Sequence, residues 1–296
     1  MVSTHWLTPN FLSRLEALQL SVRWVRAGTR LGGSFPINRR GASIEFADYA
    51  PYYPGDDIRA IDWNLYARLD RLFVKTYKEE IKLAVDIIVD ATGSMGLPTE
   101  EKFERAKRIA VSLGYVGLGE RHHVRLDWMT SGPIVSGPWC RQRSDLARMA
   151  QQAEAARLGA GTVAFADWMQ RAAIALGMRG GQAILITDAM VPPADLFRAL
   201  HVLMIRNLEV KVIQILTPQE LHPARLFRGG LLVDVETGAT HQLAYSASEL
   251  DRAVAQHNEL VVRFCKRHGI LFARHVLDEP LDAFIIKTLP ARGFLE

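Results

Sequence analysis

Two cysteines in 296 residues, Cys140 and Cys265, are too few and too far apart for a disulfide framework, and neither sits in a CxxC or Cys/His spacing that would hold zinc. Both are expected as free thiols in a reducing compartment. No apolar run approaches the roughly 18 residues of a membrane span, and Met1–Phe11 lacks a basic segment followed by an apolar one. The expectation is a soluble cytoplasmic protein. GxxxxGK(S/T), HExxH and GxSxG are also missing, so no positive sign of ATP hydrolysis, zinc proteolysis or serine esterase chemistry is present. Excess charge is absent as well. With 36 Lys and Arg against 32 Asp and Glu, the formal net charge is +4, and the basic residues are dispersed along the chain as on an ordinary solvated surface. A weakly basic nucleic-acid binder is the alternative that this bias leaves open.

What the chain does have is apolar content, 49% of residues, enough at this length to form a core without staples. Leu12, Leu15, Leu18 and Val22 recur at spacings of three and four behind Pro9, which predicts a helix over Phe11–Val25. Gly28–Asp70 turns to Gly, Pro, Arg, Tyr and Asp without periodicity, predicting an ordered, loop-rich segment. From Leu72 onward strands and helices alternate. Strands are predicted at Leu72–Tyr77, Leu83–Val89, Val124–Met129, Ile134–Trp139, Gln182–Thr187, Val210–Leu216, Leu231–Val235 and Ile270–Val276. Helices fall at Glu101–Gly117, Ser144–Arg157, Val163–Met178, Ala194–Arg206 and Glu249–Arg267. This order implies an α/β fold with a mostly parallel sheet covered on both faces. The domain reading is an N-terminal segment, 1–80, and an α/β domain, 81–290.

In such sheets ligands sit beyond the carboxyl ends of the strands, and two predicted strands run into aspartate, Asp90 and Asp188. Asp90, Thr92 and Ser94 alternate, so a carboxylate and two hydroxyls can converge while Gly93 lets the backbone bend. The glycine-rich Gly159–Thr162 stretch precedes a helix and can bring the Thr162 hydroxyl to the same edge. All five are hard oxygen donors of the kind Mg2+ prefers. The plainer alternative is that these residues cap the following helices. His122 and His123, adjacent at a strand start, point to opposite faces and read as surface.

These residues resemble the metal-ion-dependent adhesion site of von Willebrand factor A domains, Asp-x-Ser-x-Ser followed by Thr and Asp. Thr92 stands where the pattern has its first serine. A second resemblance lies upstream. Arg39-Arg40-Gly41, Glu45-Phe46, Tyr53-Pro54-Gly55-Asp56-Asp57, Arg59, Ile61-Asp62-Trp63, Ala67-Arg68 and Tyr77-Lys78-Glu79-Glu80 are similar to the signature of the bacterial domain-of-unknown-function family fifty-eight. The two together imply a von Willebrand factor A-like fold and a metal site of Asp90, Thr92, Ser94, Thr162 and Asp188 for Mg2+ or Mn2+. They imply a non-enzymatic, protein-binding role, with a MoxR-type AAA+ ATPase or its client docking an acidic side chain on the ion. From the residues alone, Asp56, Asp57, Arg59, Asp62 and Arg68 read as a structural ion-pair cluster. A magnesium-dependent hydrolase is the enzymatic alternative, for which no general base can be placed.

Overall fold

The structure, a computed structural model, describes residues 6–22, 45–55, 58–78, 82–159, 163–225, 231–233, 240–242 and 247–296. Contact density divides the chain into a smaller unit, residues 35–82, and a larger one formed by the rest. The N-terminal helix α1 (Pro9–Leu15) belongs to the larger unit, with Thr8 as N-cap accepting from the Phe11 amide. It ends ten residues before the periodicity suggests. The segment after it is drawn into extended pairing instead: Leu20 bridges Leu295, and the Gln19 and Glu296 backbones exchange hydrogen bonds. Lys211, fully buried, donates to the carbonyls of Ser21 at 2.6 Å and Phe294 at 3.2 Å, so tertiary partners override the local helical preference.

In the smaller unit, β1 (Glu45–Pro51) and β2 (Phe73–Lys78) pair antiparallel, with α2 (Trp63–Leu69) between them in the chain. This corrects the loop-rich expectation. The strand β1 carries a bulge between Phe46 and Asp48, which breaks the alternation that would have advertised it. Asp62 is the N-cap of α2, its Oδ1 accepting from the amides of Asn64 at 2.9 Å and Leu65 at 3.1 Å while Oδ2 accepts from the Tyr49 hydroxyl. Asp62 thus serves as a helix cap, and Asp56 and Asp57 lie outside the described residues.

The larger unit continues with β3 (Ala84–Asp90), α3 (Glu101–Gly119), β4 (His123–Met129), β5 (Val135–Ser136), α4 (Leu146–Ala155), α5 (Phe165–Ala175), β6 (Gln182–Thr187), α6 (Pro193–Ile205), β7 (Glu209–Leu216) and α7 (Pro218–Leu221). It closes with β8 (Leu231–Val233), β9 (Thr240–Gln242), α8 (Ala247–Arg267), β10 (Leu271–Val276) and a helical segment running from Leu281 to Ala291. The central sheet has the order β10-β7-β6-β3-β4-β5, parallel except for β5 at one edge. The expected α/β class and mostly parallel sheet are therefore present.

Both faces are covered. Ile88, Leu185 and Val212 project into a core shared with Trp168 and Met169 of α5, Leu196 and Leu200 of α6, and Val261 and Cys265 of α8. Their alternating neighbours Ile87, Val89, Ile186 and Ile213 are equally buried, on the face where α3 lies against β3, β4, β6 and β7. Double coverage explains why β3 reads as one continuous apolar run. The chain leaves β3 toward β4 on one side and returns as β6 on the other, so the strand order reverses between β3 and β6. That reversal opens a crevice at their carboxyl ends. Cys140 and Cys265 are both free and buried. Among the described residues no helix is long and apolar enough to cross a membrane.

Candidate functional site

Asp90 and Asp188 stand at the ends of β3 and β6, the strands that flank the reversal. Asp90 is wholly buried. Its Oδ1 accepts from the Thr92 amide at 3.0 Å and the Thr92 hydroxyl at 2.8 Å, and its Oδ2 accepts from the Thr187 hydroxyl at 2.7 Å. The Ser94 Oγ lies 3.0 Å from Thr92 Oγ1. Asp90, Thr92 and Ser94 are thus brought together as the alternation requires, with a short helical turn at Gly93–Gly96 closing the loop.

Asp188 is held from several sides. Its Oδ1 accepts from the Met190 amide at 3.0 Å, and its carbonyl accepts from Gln214 Nε2 at 2.9 Å. Ala189, next to it, is buried with a φ of 55°, a left-handed conformation that is unfavourable for alanine and persists only where surroundings impose it. The Ala189 amide donates to Thr187 Oγ1, and the ring nitrogen Nε2 of His257 lies 2.7 Å from the Ala189 carbonyl.

Thr162 lies outside the described residues. Gly159, three residues before it, is described. The Gly159 amide donates to the Ala91 carbonyl at 2.7 Å, and a Cβ at Gly159 would stand 3.2 Å from Thr130 Cβ. Glycine therefore permits the close approach of residue 159 to the chain at the end of β3.

Electrostatics set Asp90 apart. Burial first, and the Asp188 charge second, push its carboxyl up to about 7, although the Thr187 and Thr92 hydrogen bonds pull the other way. A buried carboxylate with a second one close by favours either a proton or a cation between them. Among the described residues no group of three or more His, Cys, Asp or Glu is placed to hold a metal ion. An ion at this edge would have to draw on the hydroxyls of Thr92 and Ser94 as well as the two carboxylates. That donor set, hard oxygens with only two carboxylates, suits Mg2+ or Mn2+ and suits zinc or copper poorly.

One residue at the site was not singled out from the sequence. Lys102, in the first turn of α3, is fully buried, with Nζ 3.0 Å from Asp188 Oδ2 and 2.6 Å from Glu220 Oε1. Burial alone would lower its proton affinity, but the charges of Asp188 and Glu220 outweigh that and raise it, so the ammonium is retained. Glu220 is fixed in turn by a reciprocal cap on α7, its Oε2 accepting from the Thr217 amide while the Glu220 amide donates to Thr217 Oγ1. A signal for Lys102 exists in the sequence: Ala106, Ile109 and Leu113 lie four, seven and eleven residues on, which places the lysine on the apolar stripe of its helix.

A second buried charge cluster lies nearer the middle of the sheet. Arg125 donates from Nε to Asp86 Oδ1 at 3.0 Å and lies 3.4 Å from Asp127 Oδ1. Burial chiefly pushes both carboxyls up, Asp127 to about 7 with the Asp86 charge adding to it.

His122 is a correction to the surface reading: it is buried, with its Nδ1 3.5 Å from the Leu83 amide, and burial first pushes it down to about 4. His275 is buried too and is pushed down to about 3, by burial and then by the Arg105 charge. Arg105 Nη1 lies 3.2 Å from His275 Nε2, and since Arg can only donate, Nε2 accepts and the ring is neutral. An unfolded histidine takes its proton near 6.5, so the stability carried by neutral His275 is complete above that pH and is lost as pH falls from 6.5 toward 3. At pH 5 the loss is roughly 2 kcal/mol. Asp90 and Asp127, with raised values, act in the opposite sense between about 4 and 7, so the expected result is a difference: wild type and His275→Gln, unfolded in denaturant at pH 7.5 and 5, converge in stability at the lower pH. Parallel curves would mean that His275 protonates in the fold.

A family model described as "Protein of unknown function DUF58" matches residues 48–259. The uncharacterized protein Rv1480 of Mycobacterium tuberculosis and the uncharacterized protein Mb1516 of Mycobacterium bovis are each 26% identical over 295 residues, an alignment covering 96% of this chain and 90% of theirs. Among solved structures, the conserved hypothetical protein BatB from Bacteroides thetaiotaomicron matches 71% of this chain and 98% of its own, at 16% identity and a TM-score of 0.41. The SpRpn10 VWA domain matches 71% of this chain and 96% of its own, at 12% identity and a TM-score of 0.40. These likenesses are too distant to bear on the site.

Proposed function

Since the chain belongs to the family described as protein of unknown function DUF58, whose name assigns no activity, we propose that it is a non-enzymatic, metal-dependent protein-binding module of von Willebrand factor A-like type. Asp90, Thr92, Ser94, Thr162 and Asp188 would hold Mg2+ or Mn2+, and the ion supplies a coordination position for an acidic side chain of another protein. The partner in this reading is a MoxR-type AAA+ ATPase or one of its clients. The observation that carries the reading is the convergence of Asp90, Thr92 and Ser94 beside Asp188 at the strand-order reversal, with Asp90 buried and, among the described residues, in no ion pair.

What this chain contributes is placement. Thr187 and Thr92 fix the Asp90 carboxylate, and the Met190 amide fixes that of Asp188, so the donors are oriented before any ligand arrives. The test is co-purification of partners on the immobilised chain with Mg2+ and with chelator. Retention that is indifferent to chelator counts against the reading, as does turnover of a substrate by the isolated chain.

The smaller unit adds a second contact surface to this proposal. Tyr53 and Trp63 are 68% and 63% exposed, and the Trp63 and Tyr66 rings meet edge to face at 6.2 Å. Exposed aromatics of this kind are favoured at interface centres. Trp63→Ala is expected to weaken partner binding about tenfold or more, equivalent to the ~1.4 kcal/mol or greater of an interface anchor. Its melting temperature stays that of the wild type, because the side chain packs little in the free protein. Unchanged affinity in a calorimetric titration removes this surface from the account.

A further inference from the structure

Lys102 places a positive charge, covalently tethered, against one of the two carboxylates that the proposed ion needs. Asp188 Oδ2 is already within 3.0 Å of the ammonium, and its Oδ1 holds the Met190 amide. The ammonium bridges Asp188 and Glu220, the Asp188 charge acts in turn on Asp90, and Lys102 and Asp188 are almost wholly excluded from water. Screening by solvent is weak there, so each charge acts strongly on the others.

We propose that Lys102 is a tethered competitor of the divalent ion for Asp188, that Glu220 draws its ammonium away from Asp188, and that this pair sets the affinity of the site. The inference rests on the metal-binding reading above. Two cations sharing one carboxylate repel, so occupancy by the ion requires the ammonium to lean toward Glu220, which lies closer to it already, at 2.6 Å. Glu220 is anchored by the Thr217 cap and forms the first turn after β7. A displacement of Lys102 toward Glu220 would therefore be felt in the segment between β7 and α8. The affinity that results is one the partner can complete, since a carboxylate arriving from outside adds the negative charge that Lys102 subtracts.

The experiment is titration of the full chain with Mn2+ alone, read by isothermal calorimetry and by loss of the free Mn2+ resonance, for wild type, Lys102→Met, Glu220→Gln and Asp90→Ala. Lys102→Met removes the competitor and is expected to bind at least tenfold more tightly. Glu220→Gln leaves the ammonium only Asp188 and is expected to bind at least fivefold more weakly. A purely structural ion pair would shift both variants the same way or neither. Wild-type binding that is lost in Asp90→Ala yet equal in Lys102→Met and Glu220→Gln overturns this inference and leaves the metal reading standing. Absence of binding in both wild type and Lys102→Met overturns the metal reading itself. Should Lys102→Met fail to fold, Glu220→Gln decides alone: an affinity equal to or above that of wild type rejects the competitor role.

Discussion

Millimolar Mg2+ is expected to raise the melting temperature of the wild-type chain, and Asp90→Ala to abolish the rise. An ion that binds only the folded state stabilises it by mass action, about 2.7 kcal/mol at a concentration a hundredfold above its dissociation constant. For a chain of this size that is on the order of 5 °C. Asp90 is the residue on which the effect should depend most, because its carboxylate is wholly buried, close to a second negative charge, and held by Thr92 and Thr187 in one orientation. Asp90→Asn keeps the shape and serves where the alanine variant melts too early to compare. A shift of the same size in either variant would place the ion elsewhere on the protein.

Arg125→Met should produce the largest loss of stability among single changes away from that site, about 3–5 kcal/mol, the usual consequence of removing one partner from a buried charge cluster. The guanidinium is the counter-ion that Asp86 and Asp127 share inside the sheet, and both carboxyls are already pushed up by burial with it present. Without it they must take up protons or admit water. Adding Asp127→Asn to Arg125→Met should recover part of the loss, since one of the stranded charges is then gone. Denaturant unfolding of the three proteins measures this, and a cost for Arg125→Met below about 1 kcal/mol, typical of an exposed pair, would show that solvent reaches the cluster.

The alternation of strands and helices beyond Leu83 was legible because each element there is shaped by one dominant pattern. Runs such as Ile87-Ile88-Val89, β-branched and bounded by turn residues, suit strands covered on both faces, and the boundaries of β6 fall where the residues place them. Asp90, Thr92, Ser94 and Asp188 were legible for the same reason, since strand ends fix where side chains emerge. Lys102 and Glu220 were not. Their meeting depends on α3 and α7 arriving at one edge from positions far apart in the chain, which no local pattern encodes. The cluster of Arg125, Asp127 and Asp86 was not legible either. Polar residues alternating along a strand suggest a solvated face, whereas here they satisfy one another and Asp86 beneath the helices. The N-terminal segment failed through competition, as its helical spacing gave way to pairing with Leu295 and to the carbonyls held by Lys211.

The central claim, docking of an acidic partner through a metal held by the sheet edge, is tested most directly by the affinity of the purified chain for a purified MoxR-type AAA+ ATPase. Four arms are needed: wild type with Mg2+, wild type with chelator, and Asp188→Ala and Thr162→Ala, each with Mg2+. The account predicts measurable binding in the first arm and at least a tenfold loss in each of the other three. Equal affinity in all four would contradict it.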